Sequence, residues 1–240
     1  MPRGLIIIPA YNEGTNIGRV LDELASLNLG IDIVIVNDGS KDQTASIATS
    51  KGVKVISHPF NLGYGGALQT GFKYAVKMGY DHIIQFDGDG QHNAANLKSM
   101  INSLETADSD IVIGSRFIAG GSFKAGFFKM LVIRMMSSLI KLTTNTVITD
   151  PTSGFKGYQK DVFTYNSKFN NFPDDYPDAD ILIKMLKLGY KAKEIPIHVR
   201  QRESGVSMHS GLKPIIYLVQ ILVSILIITL RNEKIVPKGD

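Results

Sequence analysis

The 240-residue chain has no cysteine and no tryptophan, and its longest mostly apolar run without a charge, residues 215–230, is only 16 residues long. Without cysteine there is no disulfide framework and no thiolate metal site, as suits a reducing compartment. Sixteen residues make a helix of roughly 24 Å, short of the roughly 30 Å hydrocarbon core of a bilayer, so no true transmembrane domain is expected. The apolar residues 5–8 are too few for the core of a signal peptide and run into Pro9, so the expected place is the cytoplasm. Zinc-finger spacing, a basic-aromatic run and a continuous basic helix are all missing, and no nucleic-acid partner is expected. The chain also has no G-x-x-x-x-G-K. Gly63, Gly65 and Leu68 miss the third position of a dinucleotide fingerprint, and they follow the third apolar run rather than the first.

What is present suits a sizeable core. Hydrophobic residues make up 44% and charged residues 20%, enough for one large domain or a domain with an appendage. The net charge of +4 is unevenly spread, because residues 1–115 carry 8 basic against 12 acidic side chains and residues 116–240 carry 18 against 10. The second half therefore faces something anionic, with a phosphate or a membrane surface ahead of nucleic acid.

Short apolar runs at 5–8, 31–36, 53–56, 83–86 and 111–113 read as strands buried on both faces. Helical stretches near 16–27, 42–51, 66–78 and 94–106 separate them, the second opened by a capping box of Ser40 with Gln43. Such a βαβ series predicts an α/β fold, a doubly wound and mostly parallel sheet with ligands at the strand C-terminal ends. Those ends carry PAYNEG (9–14), NDGSKDQT (37–44), HPFNLGYGGALQTG (58–71) and, directly after the fourth run, DGDGQ (87–91). Asp87 and Asp89, one residue apart among glycines, form a hard-oxygen site for Mg2+ or Mn2+ bridging to a diphosphate, or else an Asp-Gly turn with both acids in solvent. The glycines of the 58–71 loop open a helix, with Asn61 capping the turn, or contact phosphate directly.

Beyond 116 the alternation stops. Residues 123–145 form an apolar helix pattern set with Lys124, Lys129, Arg134 and Lys141 and without an acid. It reads as a core helix with snorkelling bases or, favoured by its Phe and Met content, a helix at a membrane interface. Pro177 opens a further helix that runs to Gly189, with Asp178 and Asp180 in its favoured first turn. On residues 213–231 a thin polar stripe (Lys213, Tyr217, Gln220, Ser224, Arg231) marks an otherwise apolar helix, suited to the interface, a second copy or a small membrane-protein partner. His58, His82 and His198 read as packing residues.

The motifs IPAYNE, NDGS, NLGYGGALQTG, DGDGQH, GSR (114–116) and DPTSGFKGY (150–158), in this order, resemble family 2 glycosyltransferases of the GT-A fold. More narrowly they resemble the polyprenyl-phosphate sugar synthases, over about residues 4–207. The resemblance implies a GT-A domain over 1–207, its nucleotide-sugar half ending near 115 and its acceptor half following, and then a membrane-associating amphipathic helix and tail over 208–240. It implies that Pro9, Tyr11, Glu13 and Asp38 line the nucleotide pocket and that Asp87, Asp89 and Gln91 hold the metal and the diphosphate. Asn37 stands where the family usually has aspartate, which leaves the nucleobase open, with a UDP-sugar expected ahead of a GDP-sugar. Arg116, with Lys129 or Arg134 and Ser137 or Ser138, would grip the lipid phosphate. Asp180 matches the general base of members with hydroxyl acceptors. Residues 199–209 resemble the Arg-x-x-Gly-x-Ser-Lys loop that closes on the diphosphate; Arg202, Gly205 and Ser207 match, Met208 replaces the lysine, and Arg200 or His209 are stand-ins.

The expected reaction is therefore an inverting, metal-dependent sugar transfer from a nucleotide diphosphate sugar to a polyprenyl phosphate such as undecaprenyl phosphate. Its place would be the cytoplasmic face of the membrane, bound peripherally. Transfer to a carbohydrate hydroxyl with Asp180 as base and a silent nucleotide-sugar-binding subunit are the alternatives.

Deleting residues 210–240 is expected to release the protein from anionic liposomes in a flotation assay. Flotation equal to that of the full chain would make this segment ordinary core.

Overall fold

The computed structural model describes residues 2–118, 126–173 and 179–200. Seven strands form one sheet: β1 (Gly4–Ala10), β2 (Asp32–Asn37), β3 (Lys54–Ser57), β4 (His82–Gln85), β5 (Ile111–Ser115), β6 (Lys156–Gln159) and β7 (Ala192–Pro196). Their order is β3-β2-β1-β4-β6-β5-β7. All neighbours are parallel except β6, which runs antiparallel to both β4 and β5. The five strands read from apolar runs are present. β6 and β7 carry no such run, and neither they nor the helix after β6 were foreseen.

Among the described residues seven helices cover the sheet: α1 (Ile17–Ser26), α2 (Thr44–Ser50), α3 (Tyr64–Met78), α4 (Asn96–Glu105), α5 (Phe127–Thr144), α6 (Lys160–Ser167) and α7 (Ala179–Lys187). Alternate strand residues serve opposite layers, which is why the strands read as unbroken apolar runs. Leu5, Ile7, Val34 and Val36 face α3, α5, α6 and α7, whereas Ile6, Ile8 and Ile35 face α1, α2 and α4. α3 lies so close to β1 that a Cβ on Gly71 would stand 2.4 Å from Ile7 Cγ2. Gly79, at φ 74°, ends that helix in the left-handed conformation that glycine accepts without strain.

Two expectations change. The Ser40–Gln43 capping box does not form: Ser40 Oγ instead accepts the Asn12 N–H, and the Thr44 N–H is taken by Asp42 Oδ1. The helix starts after Gln43, whose side chain makes no capping bond. α5 is not a helix lying free at an interface, since Ile133, Met136 and Ile140 are buried in the core while Leu131, Arg134, Ser138, Lys141 and Leu142 are exposed. Lys124, Pro177, Asp178 and residues 201–240 lie outside the described residues, as does the side chain of Lys129 on α5. Among the described residues no helix is long and apolar enough to cross a membrane.

The α3–β1 contact makes a prediction opposite in sign to helix propensity. Gly71→Ala should destabilise by about 1–3 kcal/mol through overpacking against Ile7, although alanine is the better helix former. Urea denaturation measures it, and a stabilised variant would refute the close approach.

Candidate active site

The loops after β1, β2 and β3 are stitched to one another at one edge of the sheet. Asp38, directly after β2, is buried, and its carboxylate takes three contacts from the loop after β3. Oδ1 accepts the Leu62 N–H at 2.8 Å and lies 2.7 Å from His58 Nδ1, while Oδ2 accepts the Gly63 N–H at 3.0 Å. His58 Nε2 stands 2.9 Å from Thr70 Oγ1, so this histidine does have named partners. Asn61 Oδ1 also accepts the Gly63 N–H, as the expected turn requires. Asn37 is buried and its amide is engaged at both ends, donating to Ser57 Oγ and accepting the Ser40 N–H.

The PAYNEG loop is tied to the next one by the bond to Ser40, by the Lys41 N–H to Asn12 Oδ1 and by the Gly14 N–H to Asp42 Oδ2. Within it Pro9 is buried in β1, Glu13 holds the Asn16 side chain, and Tyr11 is exposed. An exposed aromatic ring on a pinned loop can stack on a base.

Asp87 follows β4. Tyr64 Oη donates to Asp87 Oδ1 at 2.6 Å, and His92 Nε2 lies 3.3 Å from Oδ2. Gly154 packs against the same carboxylate, where a Cβ would be 2.1 Å from Oδ2. Burial pushes the Asp87 carboxyl up. The hydrogen bond and charge of His92, the Tyr64 hydroxyl and the charge of Lys156 outweigh it and hold the group below the usual carboxylate range. Lys156 is fully buried in β6. Asp89 and Gln91 are half-buried, and Asp89 Oδ1 accepts the Gln91 N–H at 3.0 Å. Arg19 of α1 rests on this loop, its Nη2 2.7 Å from where a Cβ on Gly90 would stand. On the far side the Gln91 carbonyl accepts the Arg200 N–H at 2.8 Å and His92 pairs with Val199, so the segment expected to close on the diphosphate starts against DGDGQ. Arg202 and Ser207 lie outside the described residues.

Beyond β5 the loops are built on another buried acid, Asp150. Arg116 forks onto Asp150, with Nε–Oδ2 and Nη2–Oδ1 both at 2.7 Å, and Nη2 also reaches Thr152 Oγ1. Asp150 is fully buried, and its N–H and that of Thr149 are held by the Glu194 carboxylate, whose own pKa burial pushes up. The Ser137 hydroxyl of α5 makes a long bond to the Thr149 carbonyl, at 3.5 Å, while Ser138 bonds only within its helix and Arg134 is exposed. Asp180, buried in the first turn of α7, accepts the Ile181 N–H. Since the loop that Arg116 anchors runs on to Gly154, it packs against Asp87 of DGDGQ. Sequence reasoning missed Tyr64, Gln85, Lys156, Glu194 and the Arg116–Asp150 pairing, which act through long-range contacts, and also His92, which stands only five residues from Asp87.

Among the described residues no three His, Asp or Glu side chains cluster as a metal site. Two carboxylates and the Gln91 amide oxygen remain, a set suited to Mg2+ or Mn2+, which take one or two protein carboxylates and complete their shell with substrate phosphate and water.

The chain is similar to known proteins over most of its length. A polyprenol monophosphomannose synthase of Mycolicibacterium smegmatis is 28% identical over 222 residues, covering 87% of this chain and 82% of the relative. An undecaprenyl-phosphate mannosyltransferase of Micrococcus luteus is 30% identical over 221 residues, covering 87% and 88%. In fold the chain is similar to the crystal structure of glucosyl-3-phosphoglycerate synthase from Mycobacterium tuberculosis with Mn2+, UDP-glucose and phosphoglyceric acid. The TM-score is 0.71 at 18% identity, covering 97% of this chain and 81% of the other. The profile of glycosyl transferase family 2 matches residues 5–165, the stretch that carries all four strand-end loops and the Arg116–Asp150 pair, and the chain belongs to that family as a glycosyltransferase.

Proposed function

We propose that the chain transfers a hexosyl or N-acetylhexosaminyl group, with inversion, from a nucleotide diphosphate sugar to a polyprenyl phosphate, giving a lipid-linked sugar for envelope glycans. The carrying observation is the Asp87 carboxylate, held ionised at the end of β4 beside Asp89 and in contact with the loop that Arg116 anchors. The names of the two mannosyl-transferring relatives support the acceptor class.

Asp87, Asp89 and Gln91 would hold Mg2+ or Mn2+, which would supply positive charge to the leaving diphosphate. Tyr11 would stack on the base while the Asp38-clamped loop and the PAYNEG loop fix its position. A phosphate monoester acceptor brings its own anionic oxygen, its second pKa being about 6, so no strong general base is needed. What is needed is alignment of two negative partners. On the acceptor side the Arg116–Asp150 fork shapes the loop, and Arg134, with Lys129 earlier on α5, would meet the lipid phosphate. The exposed face of α5 and residues 208–240 would lie toward the cytoplasmic leaflet.

Incubation with labelled nucleotide sugars and undecaprenyl phosphate should give a solvent-extractable product. Product formed only on a soluble sugar acceptor would overturn the proposal.

Asp89→Asn is expected to abolish turnover while circular dichroism stays unchanged, and EDTA should do the same reversibly. Full activity in EDTA would remove the metal from the mechanism.

Asp180→Asn should leave most of the rate, whereas a hydroxyl acceptor relying on that carboxylate as base would lose roughly 10²- to 10⁴-fold. Arg116→Ala is a harsher change, because it strands the buried Asp150 charge and should cost about 3–5 kcal/mol in stability. Thermal melting alongside lipid-titrated kinetics separates that loss from weaker acceptor use.

A further inference from the structure

We propose that Tyr64 is a positioning residue of the metal site, its hydroxyl holding Asp87 in the orientation in which the carboxylate takes the ion. This rests on reading Asp87 as a metal ligand.

The hydroxyl lies in a chain of four side chains: Tyr158 Oη to Gln85 Oε1 at 3.3 Å, Gln85 Nε2 to Tyr64 Oη at 2.8 Å, and Tyr64 Oη to Asp87 Oδ1 at 2.6 Å. Its direction follows from one end. An ionised carboxylate only accepts, so the single Tyr64 proton must point at Asp87. Tyr64 oxygen then serves as an acceptor, which obliges Gln85 to present its amide nitrogen and to offer its carbonyl oxygen to Tyr158. Gln85 and Tyr158 are buried in adjacent strands, so neither amide nor phenol has bulk water to turn to. The 2.6 Å contact is short, as hydrogen bonds to a charged oxygen are.

The backbone of Tyr64 is fixed as firmly as its hydroxyl. It is the first residue of α3 and follows Gly63, which stands at φ 90° with its N–H on Asp38 Oδ2. Consecutive residues thus bind the carboxylate of the nucleotide loop and that of the metal loop. Each Asp87 oxygen still has a lone pair for an ion, and partners that orient a metal ligand in this way typically carry about 10- to 100-fold in metal affinity.

Tyr64→Phe keeps the ring and removes the hydroxyl. Mn2+ binding to the full chain, followed by electron paramagnetic resonance with UDP or GDP present, is expected to weaken at least about 10-fold, while the melting temperature falls by a few degrees because the buried Gln85 amide loses its acceptor. Gln85→Leu, which leaves Tyr64 in place without its orienting donor, should weaken binding by a smaller factor. Wild-type Mn2+ affinity in Tyr64→Phe overturns the assignment. Should that variant fail to fold, Gln85→Leu decides, and an unchanged affinity there overturns it. Asp89→Asn separates the two levels. If it binds Mn2+ like the wild type, the metal site itself has been misread; if it loses the ion while Tyr64→Phe does not, only the role of Tyr64 falls.

Discussion

A carboxylate buried at the mouth of a parallel sheet is tolerable only if donors reach both of its oxygens. The rest of this site depends on how Asp38 meets that requirement. Its donors come from a single loop, the Leu62 and Gly63 amides together with His58, so satisfying one acid folds the segment between β3 and α3. α3 then starts where Tyr64 can reach Asp87. The chain after β5 repeats the principle with different donors, since Asp150 is satisfied by the guanidinium fork and backbone N–H of Arg116.

The parts of the fold that were legible in the sequence are those whose cause is local. Strands buried on both faces must be apolar throughout, so residues 5–8 and 111–113 announced themselves. β6 did not, because it carries a fully buried lysine whose charge is answered across the sheet, near Asp87, and because an antiparallel strand set between β4 and β5 leaves no mark on a βαβ rhythm. β7 sits at the sheet edge, half-buried, and so lacks an apolar run.

The same division holds in the site. Asp87 and Asp89 were visible because two acids among glycines after an apolar run have few local explanations. Arg116 was visible as a charge, but its partner stands 34 residues away, and nothing in either motif reveals that each answers the other. His58 likewise needed a strand crossover to meet both Asp38 and Thr70. For α5 the core reading held: Ile133, Met136 and Ile140 fill the core while Arg134, Lys141 and two leucines stay outside.

Gly154 has a consequence for how freely the two halves of the molecule can diverge. Its backbone lies against the Asp87 carboxylate with no room for a methyl group, so at this one point the chain beyond β5 meets the DGDGQ loop through main chain. The halves are therefore not interchangeable modules. A chimaera that takes the chain beyond β5 from a relative must keep the 150–157 segment matched to the DGDGQ loop.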